Sequence, residues 1–238
     1  MNLDSFAPFT LLHAITAGVF LASVVVFIVL GRRWRGTARE RTLRLSMGWS
    51  IVATQVFSIA WFLMPARYQP AISFPLQICD LMPWVGAIAL LRGSRWSVAT
   101  AYFLGIGLTT QAFVSPTVPV GPTAVRFWIF WIVHAQILGC GLYPMLVQGV
   151  RHGLRGYGLA TTFLLAYAGV ILPFDIASGL NYGFIGPSKP DVPTIIDALG
   201  PWPGRLLWMF AAAQVMMAVL LLPGAIGAMR ERAVHSRG

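Results

Sequence analysis

Acidic residues are scarce in this chain. Seven Asp and Glu stand against 17 Lys and Arg, and charged residues of both signs make up only 10% of the 238 positions. That excludes an ordinary water-soluble domain, whose exterior needs far more charge. With 57% hydrophobic residues and a mean hydropathy of +0.73, apolar side chains exceed what one core of this size can bury. Cysteine is nearly missing: Cys79 and Cys140 are the pair, and both sit inside apolar runs, which argues against a disulfide framework. No His/Cys spacing suited to a metal occurs, and no cofactor is implied. No Lys or Arg precedes the first apolar run, only Asp4, so the basic start of a cleavable signal peptide is lacking and that run is expected to stay as a helix. The net charge of +10 does not indicate nucleic acid, because the basic residues form short clusters between apolar runs and not one basic domain.

What is present is a series of long apolar runs. A hydrocarbon core of roughly 30 Å takes about 20 residues of helix, and this ruler places spans near 9–30, 45–63, 75–91, 97–114, 125–147, 157–178 and 205–229. The third is the shortest. In lipid every backbone polar group needs an internal partner, so these runs are expected to be helices. The fold class expected is all-α: a polytopic membrane bundle of about seven transmembrane helices in a single domain over 1–238.

Orientation follows the positive-inside rule. Arg32, Arg33, Arg35, Arg39, Arg41 and Arg44 follow the first run; Arg92 and Arg95 follow the third, Arg151 and Arg155 the fifth, and Arg230, Arg232 and Arg237 the seventh. The other side receives Arg67, Arg126, Lys189 and Arg205. The expected topology therefore has the N-terminus outside and the C-terminus in the cytoplasm, in a multi-pass protein of the cell membrane. One long connection, 181–204, then lies outside. Within it Asp191 and Pro193 are placed to start a short helix through Ile195, Ile196 and Leu199 to a stop at Gly200, a lid over the outer surface. The alternative is a loop anchored at the interface by Trp202.

Ionisable groups in a membrane need a partner or a purpose, since an Asp at a helix centre costs about 2.5–3.5 kcal/mol. Asp80, Asp175, His13, His134, Gln77, Gln111 and Asn181 all fall in the outer halves or at the outer ends of their segments, as a polar cavity open to the outside would require. Near-terminal polar groups reaching the headgroups are the plainer reading. His134 lies roughly 15 Å down its helix by a rise of 1.5 Å per residue, and is expected to face the bundle. A thiol beside an imidazole can attack an acyl carbonyl while the imidazolium protonates the leaving group, which makes Cys79 with His134 a candidate catalytic pair. Asp80 or Asp175 would orient the ring, and Asn181 would donate to a developing oxyanion. Against this, cysteine in a helix commonly packs as a small hydrophobe, and Cys79 sits nearer its helix start than His134 does. Pro83 removes the amide that would bond the Cys79 carbonyl, so a kink is expected there. Cys140, between Gly139 and Gly141, is expected to be a close-packing residue, with Gly105 and Gly107 on the neighbouring helix.

Three stretches carry a resemblance: Phe74-Pro-Leu-Gln-Ile-Cys-Asp80; Gly105-Ile-Gly-Leu-Thr-Thr-Gln-Ala112 continuing to Phe127 through His134; and Asn181-Tyr through Asp197-Ala-Leu-Gly-Pro-Trp-Pro203. In order and spacing they resemble the YwaF-like bacterial integral membrane family over the last two-thirds of the chain, the first two helices adding little. That family is distantly similar to eukaryotic membrane proteins that acylate ether phospholipids with a Cys in a Pro-Leu-x-x-Cys motif. The resemblance implies Cys79 as nucleophile and His134 as its partner. The chain departs from the pattern at Gln77, where His often stands.

The leading expectation is an enzyme acting on lipid acyl chains, a Cys-His acyltransferase or lipid hydrolase, with membrane lipids as partners and an acyl-donor lipid entering from the outer leaflet. The alternative is a transporter or a solute- or lipid-binding protein with no covalent step. A third is a seven-helix sensor or scaffold. The last helix has no lysine for a retinal Schiff base, and nothing in the sequence sets the oligomeric state.

Overall fold

The computed structural model describes residues 3–188 and 195–224. Among these, six helices are long and apolar enough to cross a membrane, and a seventh, interrupted helical segment over residues 95–113, not one of the six, lies between the third and fourth of them. Valines, leucines and aromatics such as Val25, Val29, Phe57, Val170, Leu207 and Val215 stand exposed along them, an exterior suited to lipid and not to water. The chain is a polytopic helical membrane bundle.

The first pass, α1 (Leu11–Arg33), starts where Thr10 Oγ1 accepts the His13 amide at 3.2 Å and ends with Arg32 and Arg33 in its last turn, where cations complement the helix dipole. The second, α2 (Ala38–Phe62), begins seven residues before the apolar run does. Its basic stretch belongs to the helix: Glu40 pairs with Arg44 at 3.3 Å one turn on, and the Tyr143 hydroxyl donates to Glu40 at 2.8 Å. Hydropathy could not place this boundary, because Arg and Glu are good helix formers that only the lipid core excludes.

The third pass is broken. A single turn, α3 (Pro70–Ser73), gives way to an extended stretch and then to α4 (Ile78–Arg92). Pro75 biases the residue before it away from the helical region, and Phe74 is extended, with φ −73° and ψ 135°. The helix expected from Pro75 therefore begins at Ile78. α4 continues through Pro83, and the interruption of the pass lies upstream of Cys79.

The fourth pass is helical from Arg95 to Phe113 with a changing hydrogen-bond pattern: α5 (Arg95–Thr100), a π-helical stretch at Ala101–Ile106, a short α6 (Gly107–Thr109) and a 3-10 turn at Thr110–Phe113. Thr109 and Thr110 bond back to the carbonyls of Gly105 and Ile106, a competition that bends helices. Tight packing adds to it, since a Cβ on Gly141 would lie 2.7 Å from the Ala101 carbonyl oxygen.

α7 (Val125–Leu146) is the central helix, packed by α1, α2, α4 and the π-helical stretch. Its half nearer the Arg-rich end meets its neighbours through small residues. Cys140 is fully buried and a Cβ on Gly86 would overlap its Sγ; Gly105 faces Ile137. This is the close packing expected for Cys140, Gly105 and Gly141. α8 (Leu154–Ser178) and α9 (Arg205–Val219) complete the bundle. At the Arg-poor end the N-terminal segment folds back on the 114–124 connection, with the Phe6 amide donating to the Pro119 carbonyl at 2.9 Å and the Thr123 hydroxyl to Asp4 at 2.9 Å.

Candidate functional site

A cavity of about 680 Å³ opens in the half of the bundle that holds few Arg, within the size range of small-molecule sites. It is enclosed by parts of α2, α7, α8 and α9, the broken start of the third pass, the end of the fourth with the connection after it, and the connection after α8. Cys79, Asp80, Gln111, His134 and Asn181 all line it. Asp175 does not, and neither does His13. The His13 ring staples α1 to the fourth pass, its Nε2 donating to the Phe113 carbonyl at 3.0 Å while its Nδ1 accepts the Phe9 amide at 3.0 Å.

The break in the third pass sets the wall that carries Cys79. Non-helical backbone at membrane depth must be satisfied by protein or by a wet cavity, and here protein supplies it from two directions. The Tyr167 hydroxyl on α8 donates to the Leu76 carbonyl at 2.8 Å, and the Tyr182 hydroxyl donates to the Pro70 carbonyl. The Gln77 side chain returns the contact by accepting the Gly183 amide at 2.7 Å. Gly183 has φ +63°, and a Cβ there would lie 2.5 Å from the Tyr167 hydroxyl, so this turn needs glycine for both its conformation and the close approach. Burial pushes the Tyr182 phenol up to about 12, so it stays a donor at all physiological pH.

Cys79 occupies the second position of α4, half-buried on the cavity wall. The next residue, Asp80, accepts the Gln77 amide at 3.0 Å, which caps the first turn of α4 and complements its dipole. His134 sits on α7 with its Nδ1 2.7 Å from the Phe130 carbonyl. That bond assigns the Nδ1–H tautomer and leaves Nε2 as the nitrogen able to accept a proton. The ring is therefore held by its own helix, in place of the carboxylate orienter expected from the sequence. Asp175 serves the connection instead: fully buried, it accepts the Tyr182 amide at 3.0 Å through Oδ1, and its Oδ2 has no partner.

Asn181 faces the cavity with one end of its amide engaged, its Oδ1 accepting the Gly186 amide at 2.9 Å, while its buried Nδ2 has no partner. Gln55 on α2 is 2% exposed, lines the same cavity and likewise has an unpartnered Nε2. Buried donors without acceptors are costly, and two of them lining one cavity suit a ligand that brings acceptor oxygens. Of the expected lid, Asp191 and Pro193 lie outside the described residues. Ile195–Leu199 forms a 3-10 turn, and the buried Ile196 lines the cavity. Trp202 is tied to the connection, its indole donating to the Ile185 carbonyl at 3.1 Å.

The model of the TMEM164 family matches residues 6–222. The chain belongs to the TMEM164 family. The match takes in α1 and α2, where the earlier resemblance was thin, and includes every residue lining the cavity. No curated protein and no solved structure matches the chain. Within this TMEM164-family fold, Gln55, Tyr167 and Arg126 also line the cavity, which the sequence did not indicate. Gln55 had a visible signal, a lone amide in an apolar run. Tyr167 had none, because nothing local marks a tyrosine whose hydroxyl will meet a break three passes away.

Proposed function

We propose that the protein is an enzyme acting on lipid acyl chains at a cell membrane, with Cys79 as nucleophile and His134 as general base. One observation carries the reading: a thiol and an imidazole with an uncommitted Nε2 line one mostly apolar cavity of a membrane bundle. The resemblance to YwaF-like proteins and their acyltransferase relatives points the same way.

In the proposed reaction the Cys79 thiol proton moves to His134 Nε2, and the thiolate attacks the carbonyl carbon of a lipid ester. The C–S bond forms, the ester C–O bond breaks, and the imidazolium returns its proton to the departing alkoxide. A lysolipid hydroxyl then gives its proton to Nε2 while its oxygen displaces sulfur, and the thiolate takes the proton back. Water in place of the hydroxyl would make the same site a hydrolase. The Asn181 Nδ2–H would donate to the oxyanion in both steps. The test is turnover of a defined phospholipid donor and lysolipid acceptor by protein in vesicles. Cys79→Ser and Cys79→Ala should abolish transfer, and intact-mass analysis of wild-type protein should find an acyl adduct on Cys79; wild-type rates in both variants would end the thiol mechanism.

A second reading, a lipid- or solute-binding protein or transporter without covalent chemistry, is favoured by one feature: among the described residues no hydrogen bond joins Cys79 to His134. There Asp80→Asn would impair function more than Cys79→Ala.

A further inference from the structure

The wall that α7 contributes to the cavity is a single helical stripe: Arg126, Ile129, Phe130, Val133 and His134, spaced i, i+3, i+4, i+7 and i+8 so that all share one face. The stripe is graded. A guanidinium stands in the first turn at the mouth, three apolar residues follow, and the imidazole lies about 12 Å further along the axis at 1.5 Å per residue. Among the described residues Arg126 and Asp80 are the two formally charged side chains lining the cavity, and Asp80 is bound to the Gln77 amide at the start of α4. α7 starts at the Arg126 end with no acidic residue in its first turn and no side-chain cap, whereas Asp80 already complements the start of α4. The positive dipole end of α7 adds to Arg126 and favours an anion there. The unpartnered Gln55 and Asn181 amides face the same cavity as donors for acceptor oxygens.

We infer that Arg126 is the headgroup subsite of the cavity, holding the phosphate of a glycerophospholipid at the mouth while the glycerol and its acyl ester reach down the α7 stripe towards His134. The inference deepens the proposed function and rests on its lipid substrate, though not on its covalent step. An Arg guanidinium presents five N–H donors in a planar fork that matches two phosphate oxygens at once, so it can serve a protein neighbour and a phosphate together. The apolar residues between Arg126 and His134 suit the glycerol and first chain carbons of an amphiphile and no hydrated anion. A substrate held this way enters phosphate-outward, which decides which of its bonds reaches the cavity floor.

Binding can be separated from chemistry with the Cys79→Ala protein and a dialkyl ether glycerophospholipid, which has no ester to cleave. Affinity is read by lipid-dependent thermal stabilisation in detergent, against dialkylglycerol, which lacks the phosphate, and a free fatty acid, which brings a carboxylate. Arg126→Gln should weaken the ether phospholipid by about 10- to 100-fold, the scale of one charge-assisted pair, leave dialkylglycerol within about twofold, and be partly rescued by Arg126→Lys. Equal losses for phospholipid and dialkylglycerol would make Arg126 a structural residue and overturn the subsite. An undiminished phospholipid affinity would overturn it too, as would a loss confined to the fatty acid, which would move the anion to a carboxylate. Failure of the thiol mechanism would leave all of these readings intact.

Discussion

The two cysteines lie in similar apolar runs, yet the bundle treats them as different chemical groups. Cys79 sits half-buried at the start of a helix that follows a backbone break, on the wall of a 680 Å³ cavity. Cys140 is fully buried in mid-helix, bonded through sulfur to the Ile137 carbonyl at 3.2 Å and pressed by Gly86. The difference belongs to the two halves of the molecule. One half is held apart by Tyr167, Tyr182 and Gln77 around an interrupted helix. The other is closed by small residues that bring backbones together. A thiol has chemistry where the packing leaves room for a second reactant, and is a small hydrophobe where it does not.

Thiol labelling should break or sharpen this contrast most strongly. With the folded protein in detergent and a small maleimide, mass spectrometry should find modification at Cys79 and none at Cys140, so that Cys79→Ala removes labelling and Cys140→Ala leaves it intact. Equal labelling at both sites would dissolve the distinction. A smaller effect is expected from Gly86→Ala, which drives a methyl onto Cys140 Sγ and should destabilise by about 1–3 kcal/mol. Adding Cys140→Ala should restore much of that loss in a double-mutant cycle on the unfolding midpoint; simple additivity would show that the two residues do not press on each other.

The smallest effect concerns His152, between α7 and α8 at the Arg-rich end. Its ring stacks on Tyr102 at 4.1 Å, its Nε2 has no partner, and burial lowers its pKa from 6.5 to about 4. The folded protein holds it neutral while the unfolded chain takes up a proton below 6.5, so its contribution is fully present above that pH and is lost as pH falls towards 4. His152→Phe should flatten the fall of the unfolding midpoint over that window, and an unchanged slope would remove His152 from the pH response.

Much of the fold was legible because hydropathy and length depend only on local composition. Val125 and Arg205 were found as helix starts, whereas Ala38 was missed, since its Arg-rich first turns carry no hydrophobic signal. The third pass was found as a span but not as a broken one, although Phe74-Pro75 carried the cue. At the site, polar residues at the outer ends of apolar runs pointed to a cavity on that side. The sequence did not say that His134 would be held by Phe130, that Asp80 would cap α4, or that Asp175 would turn away to Tyr182. Each depends on which polar partner is within about 3 Å after packing.

The sequence alone determined that this chain crosses a membrane many times as helices, because the cost of unpaired backbone groups in lipid leaves no other use for such runs. Tertiary structure decided which polar side chains meet and which seal themselves off, because that depends on the rotation and break points of helices, set by contacts between residues far apart in the chain.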